Sequence, residues 1–504
     1  MLSNEIPAFL ILFLELLIPV FVIAAGYCIG EAFLRWLKVI FDSVLSHMFI
    51  SLLLGYCGLA VFTFFTGLLG LLYPVLFWIF LAAVLFSGRD KLSALIQNLV
   101  QLNIWGEVKS SPLNWFSCGI FVVALFFGLS VALIPMGSVD SNAYSLGIGA
   151  LFKVNHKVFP VEFMHFGTRP HFSQMLFLFS TMLFKSSIPV YLFNLQIFFL
   201  IPLGIFLILK NNIAPRFALL GSAIFCVCTD GIFRLYFIEC KPQFFFVALG
   251  LAAFLCLIKY LNEKKTKCLI LVGLILGFEA NVVMMTGFIP LVAVSVTYMA
   301  VALYTRQFVW RKIFKDILFL ILLVVLMAVP WHFQQVWYRG EPFYPFNLFQ
   351  LWSTGNFSAI GDTVGGNKFV FHLFLAEDPT FIHYIFSLIK GFFGYLWRMT
   401  FEPETFHATL TILFLFMFFC IPLIKKPNCK LFFPAGIYGL SLYVIYLFGP
   451  TIIVVNLLLF AVMSVLSALV VENIFSNRIY VGRVILGLTI GILVHDVNKA
   501  YFAP

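Results

Sequence analysis

The chain has 504 residues, of which 62% are hydrophobic and only 10% are charged, and its mean hydropathy is +1.07. Such a chain has too little polar surface to cover its core in water, so the composition excludes a water-soluble globular protein. The formal net charge of +10 arises mainly from basic residues between apolar segments and does not indicate a nucleic-acid partner. We predict an all-α integral membrane protein whose first partner is the lipid bilayer.

The apolar segments predict a polytopic helical bundle of about 12–14 spans, because a helix needs roughly 20 apolar residues to cross the hydrocarbon core. The segments lie near residues 11–30, 46–66, 72–87, 115–135, 189–210, 218–234, 242–260, 268–283, 286–304, 316–331, 408–424, 431–449, 450–471 and 484–498. External helices near the membrane interface complete the predicted fold.

Basic residues orient the predicted spans, because Lys and Arg concentrate in cytoplasmic loops. Several clusters fall on one side of the resulting map. They are Arg35/Lys38, Arg89/Lys91, Lys264/Lys265/Lys267, Arg311/Lys312/Lys315 and Lys425/Lys426/Lys430. With this side in the cytoplasm, both termini and two long polar segments, 136–188 and 332–407, are expected outside. Any chemistry is therefore expected on the outer face of the membrane.

The spans and polar segments divide the chain into four parts. These are the N-terminal spans in 1–114, a membrane core in 115–331, the second outer segment in 332–407 and the C-terminal spans in 408–504. The first part ends with a cytoplasmic segment, 88–114, whose apolar residues recur at helical spacing. That pattern predicts a helix along the membrane surface.

The first outer segment contains a short apolar run, 175–184, which follows Arg169-Pro170-His171-Phe172-Ser173-Gln174. The run is too short to cross comfortably, since a crossing takes roughly 20 residues. We expect a helix that lies in the outer interface or dips into it. Such a helix can form one wall of a groove for a lipid-linked ligand.

Three sequence elements resemble bacterial members of the C-type membrane glycosyltransferase superfamily. They are Asp140-Ser141-Asn142-Ala143-Tyr144, the element from Arg169 to Gln174, and Pro330-Trp331 followed by Gly340-Glu341-Pro342-Phe343-Tyr344-Pro345. The likeness extends over residues 45–350. It implies transfer of a sugar, with inversion, from a polyprenyl-phosphate donor to a cell-envelope glycan, lipid or protein on the outer side of a bacterial cytoplasmic membrane.

The resemblance also implies residue roles. Asp140, the only acidic residue between Glu107 and Glu162, is the expected general base, a role that contributes on the order of 10²–10⁴-fold to rate. Cationic groups suit the donor phosphate, because they make charge-assisted hydrogen bonds to its oxygens. The donor-binding candidates are Arg169, His171, Glu239, Lys241 and Arg339. The interfacial or substrate-loop candidates are Tyr144, Trp331 and Tyr344.

No tightly bound metal or cofactor is predicted, because the chain has no Asp-x-Asp spacing or histidine cluster with metal-ligand geometry. The polyprenyl-phosphate sugar is the expected co-substrate, and a role for a divalent cation stays open. The acids of the second outer segment fit a solvated loop face better than a cation site. They are Glu377, Asp378, Glu402 and Glu404.

The chain departs from the family pattern at three places. Gln334-Gln335 stands where relatives commonly have Arg-Asn, Glu341 replaces an expected Asn, and a lysine often found near Glu279 is missing. A catalytically degenerate subunit with the same fold is therefore one alternative function.

A transporter or flippase of a lipid or small solute is the other alternative. Glu15, Asp230 and Glu279 lie within or at the edge of apolar spans, where ionisable groups are costly and often functional. Transport would depend on these acids, whereas sugar transfer would depend on Asp140.

Overall fold

The computed structural model describes residues 8–102, 106, 109–133, 146–161, 172–184, 186–227, 243–282, 288–306, 309–339, 412–424, 430–448 and 453–497. Within these ranges the chain forms helices and no strand. The α-helices are α1 (Ala8–Leu37), α2 (Val44–Leu68), α3 (Pro74–Ser87), α4 (Arg89–Val100), α5 (Pro112–Leu133), α6 (Ile148–Val154), α7 (Phe172–Leu183), α8 (Ile188–Leu209), α9 (Pro215–Val227), α10 (Gln243–Glu263), α11 (Thr266–Ala280), α12 (Ile289–Thr305), α13 (Trp310–Arg339), α14 (Ile412–Cys420), α15 (Phe432–Phe448), α16 (Ile453–Asn477) and α17 (Ile479–Val497). A short 3₁₀ helix, Ile421–Leu423, follows α14.

The helices confirm the predicted all-α membrane bundle. Each predicted apolar segment overlaps a helix, and 8 helices in the described part are long and apolar enough to cross a membrane. These long helices are α1, α2, α5, α8, α10, α13, α16 and α17. The bundle therefore has the architecture of a multi-pass membrane protein.

Helix α4 agrees with the predicted surface helix. None of its side chains is buried in the bundle, and its apolar residues Ile96 and Val100 are exposed. Because α4 is amphipathic and leaves these two apolar residues uncovered by protein, while Leu92 and Leu95 pack against the core, it suits a position along the membrane surface beside the bundle.

Helices α1 and α2 pack at very short range through small residues. A Cβ on Gly30 would overlap the backbone oxygen of Ser51, and a Cβ on Gly55 would overlap that of Gly26. The two small residues on each helix are four positions apart, which is the spacing that lets membrane helices bring their backbones together.

Several basic turns meet at one end of the bundle. Lys210 Nζ donates to Ser43 Oγ at 2.5 Å, and Lys267 Nζ donates to the backbone carbonyl of Lys38. These contacts join the turns around residues 38–43, 210–214 and 264–267, which we call the basic end. They confirm that the sequence clusters at Arg35/Lys38 and Lys264 to Lys267 lie on the same side.

The opposite end brings the α2–α3 turn against the segment that follows α6. The backbone N–H of Val158 donates to the carbonyl of Gly67 at 2.9 Å, and the His156 ring stacks on Tyr73 with 4.2 Å between centroids. The described part of residues 136–188 therefore lies away from the basic turns, as the orientation of the spans predicts.

Helix α7 dips into the bundle. Ten of its 12 residues are buried, and it packs mainly against α2. Of the two positions expected for this short helix, the structure therefore favours insertion over a position along the surface.

Candidate functional site

Most of the predicted site residues lie outside the described residues. They are Asp140, Tyr144, Arg169, His171, Glu239, Lys241 and Tyr344. Arg339 is the last residue of α13, and the structure describes its backbone but not its side chain. Trp331 is the candidate whose side chain the structure describes.

The Trp331 indole, one of the interfacial or substrate-loop candidates, is buried within the bundle. It stacks on Phe64 with 3.7 Å between ring centroids and meets the Phe172 ring edge-on at 5.7 Å. Hydropathy places a tryptophan near a span end at the interface, but here rings from α2 and α7 cover it. Trp331 is therefore a packing residue of the bundle.

Helix α13 continues beyond Trp331, although the sequence places the start of the second outer segment at residue 332. The helix ends at Arg339 and contains Pro330. Residues 332–339 therefore continue the helix for about two turns beyond Trp331. Arg339 lies on the same rigid element as Trp331, about 12 Å further along at the helical rise of about 1.5 Å per residue.

Phe172 is the point where the candidate elements meet. Its ring packs against Trp331, against Phe278 at 5.5 Å and against Phe245 at 6.5 Å between centroids. Phe172 directly follows His171, and Phe245 is four residues after Lys241. The start of α7, the start of α10, the end of α11 and α13 therefore meet at this aromatic cluster, which we call the Phe172 cluster.

Glu279 lies beside the Phe172 cluster, since Phe278 precedes it in α11. Its side chain is 0% exposed, and neither carboxylate oxygen has a hydrogen-bond partner among the described residues. On α10, a Cβ at Gly250 would lie 2.8 Å from Glu279 Oε1. The absence of a side chain at Gly250 therefore leaves room for the carboxyl group against the neighbouring helix.

Tyr438 is a second buried polar residue against α10 that sequence analysis missed. Its hydroxyl is buried without a hydrogen-bond partner in the described part of the chain. The Tyr438 ring stacks on Phe254 at 4.7 Å. A tyrosine inside an apolar span was the available signal, but the sequence alone did not indicate that Tyr438 and Glu279 both pack against α10, at Phe254 and Gly250.

A carboxyl group in these surroundings is stable only when it is protonated or paired with a cation, because transfer of an isolated ionised carboxylate out of water costs tens of kcal/mol in a low-dielectric medium. Glu279 and Tyr438 together present unsatisfied oxygens inside the bundle. Such groups can bind a proton, a cation or a hydroxyl-bearing ligand.

Of the other acids named from the sequence, Glu15 is buried in α1, while Asp230 and the four acids of the second outer segment lie outside the described residues. Within the described ranges no group of three or more His, Cys, Asp or Glu residues could hold a metal ion. The predicted lack of a tightly bound metal stays a prediction for the chain as a whole.

The fold and these contacts define a polytopic helical membrane protein with a candidate site at the end away from the basic turns. No protein-family model matches the chain, and no curated protein matches it. The resemblance to C-type membrane glycosyltransferases thus depends on the three sequence elements, of which the structure describes residues 172–174 and 330–331.

Proposed function

We propose that the protein is an integral membrane glycosyltransferase that moves a sugar from a polyprenyl-phosphate donor to a cell-envelope acceptor. The observation that supports this most is the Phe172 cluster, because it joins the described helix starts that follow Arg169, His171 and Lys241 in sequence to the helix that ends at Arg339. A donor phosphate needs several cations at one place, and residues far apart in sequence can supply them only if their segments converge.

Asp140 acts as the general base in this proposal. The acceptor hydroxyl oxygen forms a bond to the anomeric carbon from the face opposite the phosphate, and its proton moves to Asp140. The bond between the anomeric carbon and the phosphate oxygen breaks, and its electron pair leaves with the polyprenyl phosphate. This displacement inverts the anomeric centre.

The cationic candidates stabilise the leaving group. Arg169, His171, Lys241 and Arg339 offset the charge that grows on the phosphate as the bond breaks, and Glu239 orients the sugar or a neighbouring cation. Arginine suits this role because its planar guanidinium can donate two parallel hydrogen bonds to phosphate oxygens.

The proposed location is the cytoplasmic membrane of a bacterium with the active site on the outer face. The basic end then faces the cytoplasm, in agreement with the preference of Lys and Arg for cytoplasmic turns. The segments around the Phe172 cluster consequently face outward, where polyprenyl-linked sugars meet envelope acceptors.

The direct test is transfer of radiolabelled sugar from a panel of polyprenyl-phosphate donors to an envelope extract by the purified protein. Asp140→Asn is expected to lower turnover by about 10²–10⁴-fold, the usual contribution of a general base. Asp90→Asn is the matched control, because the Asp90 side chain is 93% exposed on α4, and it should leave turnover unchanged. Equal turnover in wild type and Asp140→Asn would remove Asp140 as the base.

Lipid or solute transport is the second candidate function, and the buried Glu279 is the observation that favours it. The test is dithionite quenching of a fluorescent polyprenyl-phosphate lipid in vesicles that contain the protein. Transport predicts that Glu279→Gln abolishes movement between leaflets while Asp140→Asn does not. Transfer predicts sugar turnover that depends on Asp140 whether or not the lipid moves.

A catalytically degenerate subunit is the remaining alternative, and Gln334-Gln335 supports it because these amides stand where relatives have Arg-Asn. It predicts no turnover from wild type with any donor and no lipid movement in the vesicle assay. Detection of either activity would exclude it.

A further inference from the structure

A cavity of about 520 Å³ lies at the basic end, apart from the Phe172 cluster. Its walls come from the end of α1, the α1–α2 turn, the start of α2 and one side of α4. Ligand pockets typically measure about 300–1,000 Å³, so the cavity can accommodate a small headgroup.

The acidic group at the base of the cavity is already neutralised. Glu31, whose side chain is 7% exposed, accepts a hydrogen bond from Arg35 Nε at 2.5 Å and another from His47 Nε2. Asp42 is the second acid in the lining, which also contains the three cationic side chains of Arg35, Lys38 and Lys91.

Two lining cations remain without an acidic partner. Lys38 and Lys91 both line the cavity, and neither forms an ion pair within the part of the chain that the structure describes. The buried Nδ1 atom of His47, a further lining residue, has no hydrogen-bond partner among the described residues. The cavity thus has a surplus of positive charge and an unused polar atom.

Close packing of α1 against the α3–α4 corner brings Lys91 to the cavity. Cys28 Sγ lies 3.7 Å from the carbonyl oxygen of Gly88, and a Cβ on Gly88 would overlap that sulfur. Lys91 is three residues further along on α4, so this packing positions the backbone that brings Lys91 to the cavity lining.

Large apolar side chains are exposed near the cavity. Trp36 and Ile40 flank the end of α1, and Phe86 lies at the end of α3. Acyl chains can pack along such a surface while a polar headgroup lies at the level of the cations, which is how basic pockets between membrane helices bind anionic lipids.

We propose that this cavity binds the phosphate headgroup of an anionic membrane lipid. The phosphate lies between Lys38 and Lys91, and the acyl chains extend along the exposed apolar residues. The site is separate from the proposed sugar-transfer site and does not depend on that function.

The proposal can be tested with the delipidated full-length protein by native mass spectrometry and thermal unfolding. The added probes are dioleoyl phosphatidic acid, dioleoyl phosphatidylcholine and inorganic phosphate. Wild type is expected to retain phosphatidic acid and to unfold at a higher temperature with it. The double variant Lys38→Gln/Lys91→Gln should bind about 30-fold more weakly, from the usual contribution of two cations near a lipid surface.

Two further variants keep the test decisive. Lys312→Gln/Lys315→Gln removes the same charge from residues outside the cavity lining and should retain the lipid. Ala94→Trp fills the cavity from α4 without changing its charge and should weaken binding even if the double lysine variant does not fold.

The possible results distinguish the site and the source of the phosphate. Equal loss of phosphatidic acid binding in the two double lysine variants would overturn the site, because it would indicate general attraction to a basic surface. Unchanged binding by Ala94→Trp would also overturn the site. If inorganic phosphate raises the unfolding temperature as much as phosphatidic acid does, the lipid is overturned as the source of the phosphate and the cavity is assigned to soluble phosphate.

Discussion

Gly30 of α1 lies directly against Ser51 of α2, so that a Cβ at position 30 would overlap the Ser51 backbone oxygen. Backbone cannot move aside as the end of a flexible side chain can. We therefore expect Gly30→Val to push the two helices apart and lower the free energy of unfolding by about 1–3 kcal/mol or more. Thermal unfolding in detergent measures the change.

Gly119 provides the matched control for this prediction. It lies in α5, is exposed, and nothing comes within 4 Å of a Cβ built on it. Gly119→Val adds the same side chain and should leave the unfolding temperature unchanged. Equal effects at the two glycines would contradict close α1–α2 packing as the cause.

The Phe172 cluster makes a second prediction. Phe172 is fully buried and contacts rings from three helices, so Phe172→Ala should lower stability by about 3–5 kcal/mol, as usual for a large ring removed from a core. Phe126→Ala is the control, because the exposed Phe126 ring loses no comparable packing. If the cluster organises the candidate site, Phe172→Leu should retain the fold but lose more transfer activity than Phe126→Leu.

Sequence reasoning located the helices because apolar length directly reports the requirement for crossing a bilayer. It ended α13 near Trp331, since the polar residues His332, Gln334 and Gln335 lower the hydropathy. The helix nevertheless reaches Arg339, because glutamine and arginine are good helix formers. Hydropathy therefore predicts where a chain is apolar better than where a helix stops.

The candidate site was predicted far less completely. The pattern drew attention to Trp331 and Glu279, but burial of the indole and of the unpartnered Tyr438 hydroxyl depends on contacts between helices distant in sequence. Hydropathy contains no information about which face of a span meets which neighbour. Phe172 lies within the element from Arg169 to Gln174, but the sequence did not predict its role, because an aromatic residue next to an apolar run usually serves only for packing.

Asp316 makes a third prediction, at the basic end. Its Oδ2 atom accepts hydrogen bonds from Tyr260 at 2.5 Å and from Tyr298 at 2.6 Å, which joins α10, α12 and α13. Asp316→Ala removes both of these hydrogen bonds, at a cost of about 1 kcal/mol each. We expect Tyr260→Phe/Asp316→Ala to be destabilised by less than the sum of its single variants, as a double-mutant cycle can measure.

The orientation of the bundle makes a fourth prediction. Lys265 lies at the basic end and His156 at the opposite end, so cysteines at these positions should react with a membrane-impermeant maleimide from opposite sides. In right-side-out vesicles His156→Cys should label and Lys265→Cys should label only after permeabilisation, because basic turns stay in the cytoplasm. The unsubstituted chain gives the background from native cysteines. The reverse pattern would contradict an outward-facing site.

The final prediction concerns the protonation state of the buried Glu279 carboxyl group. With no partner among the described residues, the carboxyl avoids the cost of a buried charge if it is protonated. Glu279→Gln, which is uncharged and similar in size, should therefore retain the fold, whereas Glu279→Lys introduces a buried cation and should prevent stable folding.

An apolar carbodiimide, which reacts with protonated carboxyl groups, should label wild type at Glu279 more readily than at Glu31, which is paired with Arg35. Loss of folding in Glu279→Gln together with absence of labelling would instead mean that the carboxylate is ionised and paired with a cation.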